Sequence, residues 1–192
     1  MELQREVGNR QGEANSLSNL GVISRIKGDL DTALYYQSQS LQIRRETGDR
    51  KGEAISLGNI GVIYINKGDL VKALYHHKQS LEIKRAIGNP QGQAASLSNI
   101  GVIYQKKGNL DSALSNFNSA LMIYQDLGYR KGQAIQFYNI GEIQEERTDL
   151  VSALESTKQA HKIFSEIGSE ALIEASLAQI QALEKQIKES SK

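Results

Sequence analysis

Asparagine recurs at one position in successive segments of the chain: Asn19, Asn59, Asn99 and Asn139 are spaced 40 residues apart. A side-chain amide carries N–H donors and a carbonyl acceptor, so a row of amides can match the alternating N–H and C=O groups of an extended peptide. These amides could instead bond within the protein and serve its folding. The row therefore indicates a peptide-binding surface, with an internal structural role as the open alternative.

Small apolar residues accompany the asparagines. Val22, Val62 and Val102 each follow an asparagine by three residues, and each has a serine or glycine four residues before it. In the fourth segment Tyr138 replaces that small residue. This pattern predicts a surface with room for apolar side chains of a partner, although single exposed valines also occur without any role.

Charged residues at the same helical positions change sign along the chain. Arg25 and Lys106 are cationic, whereas Glu142, Glu145 and Glu146 form an acidic group in the fourth segment. A partner with a basic or amide-rich segment would complement that group. The alternative is that these glutamates belong to a solvated helix end.

The residue types needed for catalysis are sparse. The histidines are His76, His77 and His161, and the chain has no cysteine. Adjacent histidines on a helix point about 100° apart, so His76 and His77 cannot share a ligand. No glycine-rich phosphate loop follows a strand pattern. We expect surface histidines, no catalytic residues, no metal site and no cofactor.

The elements that position these residues repeat with the same period. Residues 59–64, Asn-Ile-Gly-Val-Ile-Tyr, return unchanged at 99–104. Apolar residues at three- and four-residue steps predict one amphipathic helix over 91–107 and a second over 110–127. A period in this range indicates a stacked repeat array in which each unit is a helix pair.

Glycines occupy two kinds of position in each repeat. Gly108 suits a left-handed turn after the first helix, and Asn109 can then cap the second helix. Other glycines lie inside the first helix, where glycine costs about 1 kcal/mol relative to alanine. They are Gly21, Gly61, Gly101 and Gly141. We expect them to allow close approach of the paired helices.

This pattern resembles the tetratricopeptide repeat, a helix–turn–helix unit of about 34 residues. The residues that carry the resemblance are Leu97, Ile100, Gly101, Tyr104, Gly108, Ala113 and Ala120. The longer period is similar to that of the LGN/Pins polarity adaptors and of kinesin light chains. The resemblance implies an all-α, right-handed superhelical solenoid of stacked antiparallel helix pairs. It also implies a concave groove lined by the first helix of each pair, where asparagines hold a peptide backbone.

Two specialised modes of peptide recognition do not carry over. The clamp for the C-terminal carboxylate of chaperone tails needs several Lys or Arg residues on the first helices, where this chain has Ser, Gly and Val. The polarity adaptors carry a recurring arginine at positions that here are Asn15, Ile55, Ala95 and Ile135. The resemblance therefore does not support a preference for acidic peptides.

The repeat phase divides the chain. The predicted segments are 1–8, the remnant of a preceding repeat's second helix; the repeats 9–48, 49–88, 89–128 and 129–168; and 169–192, a capping helix with a polar tail. A truncated fifth repeat is the alternative for the last segment. The start within a repeat suggests a piece of a longer protein.

Composition narrows the function classes. A net charge of +1 gives no general attraction to nucleic acid or an anionic membrane, and the absence of cysteine makes the cytoplasm the default compartment. We predict a non-enzymatic scaffold or adaptor that binds a protein or peptide in its groove, as a monomer or with weak self-association through its end faces. The alternatives are a regulatory or sensor region of a larger signalling protein and a self-associating structural array.

Overall fold

The computed structural model describes the backbone of residues 2–190 and the side chains of residues 9–190. Its helices are α1 (Glu2–Ile26), α2 (Leu30–Glu46), α3 (Arg50–Asn66), α4 (Leu70–Ala86), α5 (Pro90–Lys106), α6 (Leu110–Asp126), α7 (Arg130–Glu146), α8 (Leu150–Glu166) and α9 (Glu170–Ser190). Short turns join them, and no strand occurs within residues 2–190. The predicted all-α architecture of consecutive helix pairs is confirmed.

Each turn is specified by a glycine and a capping side chain. Seven turn glycines have positive φ, between 64° and 83°, among them Gly108 as predicted. The next residue is usually Asp or Asn, whose side chain accepts a bond from the first turn of the following helix. Asn109, for example, accepts from the Ser112 amide at 3.0 Å. The short side chain satisfies an amide that has no partner within the helix.

Residues 2–8 continue into the first helix, and their assignment to a preceding repeat stays a prediction. Helix α1 runs without a break from Glu2 to Ile26, so Gly8 lies within a helix rather than at a turn. Continuing a helix through a glycine costs only about 1 kcal/mol relative to alanine. Met1 and the last two residues of the predicted polar tail, Ser191 and Lys192, lie outside the described residues.

The chain forms two compact units, Met1–Ile103 and Tyr104–Lys192. In the first unit α1 pairs with α2 and α3 pairs with α4, and α2 also packs against α3. The core between these helices contains Leu41, Ala54, Leu57, Ile60 and Ile83. Alanines at fixed positions, such as Ala54 and Ala73, are almost fully buried.

The second unit uses the same arrangement. Helix α7 pairs with α8, while α6 packs against α7 and α8 against α9. Its core contains Ala134, Ala160, Ile163 and Phe164, with Leu172 of α9 packed against it. Helix α9 also buries Ile180 and Leu183, so it covers the apolar side of the α7–α8 pair.

Three of the four predicted glycines inside the first helices, Gly21, Gly61 and Gly141, are sites of close approach, and the role of Gly101 stays a prediction. A Cβ at Gly21 would lie 3.1 Å from the Ala33 carbonyl oxygen, and one at Gly61 would lie 2.6 Å from the His77 ring. A Cβ at Gly141 would lie 2.6 Å from the Thr157 hydroxyl oxygen. The paired helices therefore leave no space for a side chain at these three positions.

Thr148 occupies the turn position that is glycine elsewhere, and its φ is 63°. A β-branched residue is strained in this left-handed region. We expect Thr148→Gly to raise the free energy of unfolding by about 1 kcal/mol, measured by denaturant unfolding. The reverse change at the matched turn, Gly108→Thr, should lower it. Equal stability of both variants and the parent would contradict a strained turn.

Candidate peptide-binding faces

The predicted binding residues of the first unit lie on α1, α3 and α5. We call this set the asparagine face: Asn19, Val22, Arg25, Asn59, Val62, Asn99 and Val102. Asn19 is exposed and the others are partly buried. Asn59 reaches from α3 to Ser18 of α1, at 3.5 Å between the Asn59 Nδ2 and Ser18 Oγ atoms, so the first two helices of the face lie side by side.

The asparagines of this face differ in their bonding. Asn59 Nδ2 also donates to Gln37 Oε1 at 3.4 Å, while Gln37 Nε2 donates to the Ser18 carbonyl oxygen at 2.8 Å. Asn59 therefore has an internal structural role. Among the described residues, the side-chain amides of Asn19 and Asn99 have no hydrogen-bond partner and are free to bind a ligand.

Sequence reasoning missed two cations that approach this face from the second helices of the pairs. Arg44 of α2 and Lys84 of α4 occupy equivalent positions, and each is followed eight residues later by a glycine. A Cβ at Gly52 would lie 2.7 Å from Arg44 Cδ, and one at Gly92 would lie 3.0 Å from Lys84 Cδ. These glycines let each long side chain cross the start of the next first helix. The eight-residue spacing between each cation and its glycine was the sequence pattern that could have indicated this contact.

Arg44 is only 4% exposed. Its guanidinium donates to the Gly52 carbonyl oxygen at 2.5 Å and to Asn15 Oδ1 at 3.0 Å. Burial lowers the pKa of Arg44, and the nearby Asp49 carboxylate partly offsets that effect. Arg44 thus ties α2 to both α1 and α3, which makes it a structural cation.

The second unit carries the predicted acidic group on α7. We call it the glutamate face: Tyr138, Asn139, Glu142, Glu145 and Glu146. Glutamine amides approach two of the carboxylates: Gln179 Nε2 donates to Glu145 at 3.1 Å and Gln105 Nε2 to Glu146 at 2.6 Å. No described Lys, Arg or His forms an ion pair with any of the three glutamates.

The electrostatics of the glutamate face reflect this lack of counter-charge. Burial raises the pKa of Glu142, and the neighbouring Glu146 and Glu145 raise it further. Burial also raises the pKa of Tyr138, with the Glu142 and Glu145 charges adding to the effect. Asn139 is partly buried, and its amide has no partner among the described residues. Lys106, at the end of α5, is exposed. The face carries uncompensated negative charge.

The expectation of surface histidines was wrong. His77 is 1% exposed and packs against Gly61, and His76 is partly buried, with its ring stacked 5.5 Å from that of Tyr64. The His161 Nδ1 atom lies 3.0 Å from Ser176 Oγ. Burial chiefly lowers the pKa of His77, to about 4. Sequence reasoning did not recognise that the position opposite Gly61 points into the helix pair.

Within residues 9–190, no group of three His, Cys, Asp or Glu side chains is arranged to hold a metal ion. No described helix is long and apolar enough to cross a membrane. Helix pairs repeated every 40 residues, with turn glycines and close-approach glycines at fixed positions, define an α-helical repeat protein.

The tetratricopeptide repeat profile matches residues 2–86 and 92–166. The chain belongs to the tetratricopeptide repeat family. This fold is generally non-catalytic and generally mediates protein–protein interaction. No match to the sequence was found among curated proteins.

Solved structures share the fold at low sequence identity. A STAND signal-transduction ATPase with a tetratricopeptide repeat sensor, from Pyrococcus horikoshii, is 20% identical with a TM-score of 0.81, covering 91% of this chain and 27% of that one. The apo form of RapI is 15% identical with a TM-score of 0.76, covering 89% and 69%. Aspartyl phosphate phosphatase F from Bacillus subtilis is 13% identical with a TM-score of 0.83, covering 94% and 51%. The chain thus spans about a quarter of the ATPase and half of the phosphatase.

Proposed function

We propose that this chain is a non-enzymatic scaffold or adaptor module that binds an extended peptide segment of a protein partner on the asparagine face. The observation that carries the proposal is the pair of unpartnered amides, Asn19 and Asn99, beside the partly buried Val22 and Val102. The amides offer both donors and acceptors to a peptide backbone. The valines offer apolar contact to alternate side chains.

The chemistry of the face sets what kind of specificity it can have. Backbone hydrogen bonds carry little sequence information, so the amides favour any extended segment. Each bond to an uncharged amide contributes about 1 kcal/mol, and each buried apolar side chain contributes about 1.5–3 kcal/mol. Affinity should therefore depend mainly on apolar residues of the partner, with the amides fixing its position.

We further propose that the glutamate face binds a basic or amide-rich segment. Glu142, Glu145 and Glu146 are held close together without a cation from the described residues, and a partner's Lys or Arg would relieve their mutual repulsion. Tyr138 adds an aromatic surface over which a cation can lie. Lys106 and Arg25 are proposed as rim charges, which influence the rate of association more than its strength.

A sensor role within a longer signalling protein is the second candidate. It is favoured by the description of the P. horikoshii ATPase, which names its tetratricopeptide repeats as a sensor. The binding chemistry would be the same in both cases, because a sensor also has to recognise its ligand on these faces. The candidates differ in whether binding is the final step or changes the activity of an attached domain.

Peptide display tests the proposal. Peptides selected from a random library on the parent chain should bind Asn99→Ala about 1 kcal/mol more weakly, because one backbone hydrogen bond is lost. Val62→Asp should weaken binding further by placing a charge against apolar side chains. Asn118→Ala is the matched control, since Asn118 is an exposed asparagine on α6 outside both faces. Affinities are measured by isothermal titration calorimetry.

The folded state of each variant is checked by thermal unfolding. Asn99→Ala should leave stability nearly unchanged because its amide has no partner among the described residues. Peptides that bind Asn99→Ala and Val62→Asp as tightly as the parent would exclude the asparagine face as the site. A library with no peptide that distinguishes the parent from Val62→Asp would contradict the peptide-binding function itself.

A further inference from the structure

Lys84 is a partly buried cation without a carboxylate partner. Its ammonium donates to Ser96 Oγ at 2.9 Å, and no described Asp or Glu lies within ion-pair distance of it. Burial lowers the pKa of Lys84. An ammonium group has three donors, so one hydroxyl oxygen leaves most of its bonding capacity unused.

Arg44, at the equivalent position of the preceding repeat, has a side-chain acceptor that Lys84 lacks. Arg44 donates to Asn15 Oδ1 at 3.0 Å, and Asn15 belongs to the first helix that precedes it. The corresponding residue for Lys84 is Ile55, which is 44% exposed and has no side-chain acceptor. The chain therefore supplies an internal oxygen to Arg44, whereas the equivalent position for Lys84 carries an exposed apolar side chain.

Gly58 leaves an opening above Lys84. Gly58 lies on α3, one residue before Asn59 of the asparagine face. A Cβ at this position would meet only Ser80 Oγ, at 3.6 Å, and the Lys84 ammonium, at 4.0 Å. Both distances are ordinary contacts, so no packing requirement explains the glycine. The missing side chain instead leaves the partly buried Lys84 ammonium at the floor of the face, whereas Ser80 is fully buried and its hydroxyl donates to the Ala54 carbonyl oxygen at 2.7 Å.

We propose that Lys84, reached through the opening at Gly58, forms a subsite for a carboxylate of the bound peptide. This inference rests on the proposed peptide-binding function and gives the asparagine face a specificity. The carboxylate oxygen takes the place that Asn15 Oδ1 has beside Arg44, and the exposed Ile55 contacts an apolar residue next to the acidic one. The expected ligand is thus an extended segment with an Asp or Glu beside an apolar residue.

The proposal differs from the expectation drawn from the sequence. The first helices lack the cations that would favour acidic peptides, but Lys84 comes from α4, a second helix, and reaches the face by crossing Gly92. A single, partly buried ammonium suits one carboxylate better than an extended anion such as nucleic acid, for which several surface cations are needed. The site is therefore specific for one residue of the partner.

The test is a second selection that compares the parent with Lys84→Met, which keeps the apolar part of the side chain over Gly92 and deletes the charge. Peptides selected on the parent should contain Asp or Glu at one position and lose about tenfold or more in affinity on Lys84→Met, because a charge-assisted hydrogen bond is lost. The same peptides with Asn or Gln at that position should bind both proteins equally. Synthesis with free and amidated C-termini distinguishes a side-chain carboxylate from a terminal one.

Two further variants test the geometry without removing Lys84. Gly58→Leu should cover the opening, and Ile55→Asn should supply the internal oxygen that Asn15 gives to Arg44; both should abolish the acidic preference. If peptides bind but show no acidic preference, or bind the parent and Lys84→Met alike, the subsite is excluded while the peptide-binding function stands. If no peptide binds either protein specifically, the proposed function fails as well.

Discussion

Gly61→Ala is expected to lower the free energy of unfolding by about 2 kcal/mol, although alanine is the better helix former. The added Cβ would lie 2.6 Å from His77 Cδ2 and 2.7 Å from its Nε2. His77 is 1% exposed, so its ring has no free space into which it can move. Separating α3 from α4 to make room would loosen a well-packed core, and such overpacking typically costs 1–3 kcal/mol.

Gly12→Ala is the matched control. Gly12 also lies within the first helix of a pair, but no atom lies within 4 Å of a Cβ built there. This variant should gain about 1 kcal/mol from helix propensity alone. Denaturant unfolding of both variants measures the difference. Stabilisation by Gly61→Ala would show that α3 and α4 are not held as closely as the structure indicates.

The sequence predicted the helices, their turns and the close contacts between paired helices because those features recur in each repeat. Gly108 and Asn109 illustrate this: a glycine before an Asn or Asp has one physical explanation, a left-handed turn followed by a helix cap. The internal glycines were similarly predictable, since only a packing requirement explains a repeated cost in helix propensity.

The burial of His77 could not be predicted because its repeat position has no constant chemistry. The equivalent residues are Gln37, His77, Phe117 and Thr157, and all four are almost fully buried. Each fills the same space with a different shape and polarity. A polar residue in a single repeat has the character of a surface residue, and its burial against a glycine becomes evident only from the packing of the helix pair.

The binding role of the asparagines stays a prediction. The free amides of Asn19 and Asn99 fit the prediction of a binding surface, whereas Asn59 bonds to Ser18 and Gln37 and fits the structural alternative. The same asparagine recurs in each repeat of the sequence. Its hydrogen-bond partners nevertheless differ, because they depend on whether the neighbouring side chains are polar. The roles of Arg44 and Lys84 could not be read from the first helices, because both residues lie on second helices and reach across the turn.

His77 is expected to make the fold sensitive to acid. Desolvation lowers the pKa of His77 from 6.5 to about 4, with Lys84 and His76 adding positive charge nearby. Both ring nitrogens are buried without a hydrogen-bond partner among the described residues, so the fold contains no acceptor for the imidazolium proton. The unfolded chain has no such restriction and binds the proton at the ordinary pKa.

The direction of the pH dependence of stability follows from how many protons the folded and unfolded states bind. Between pH 6.5 and about 4 the unfolded chain binds the His77 proton and the folded chain does not, so stability falls as the pH falls. The neutral His77 makes its full contribution to stability above pH 6.5, the pKa in the unfolded chain. This contribution is lost once the pH has fallen to about 4, the pKa in the folded chain. The shift of roughly 2.5 pH units corresponds to about 3 kcal/mol, and this titration causes no further loss below that range.

His77→Gln isolates this effect, because Gln37 fills the equivalent position in the preceding repeat and does not titrate. Carboxylates that titrate in the same range are common to both proteins and cancel in the comparison. Denaturant unfolding from pH 7 to pH 4 should show the parent losing about 3 kcal/mol more than His77→Gln. Parallel stability curves would mean that the imidazolium finds a partner or water within the helix pair.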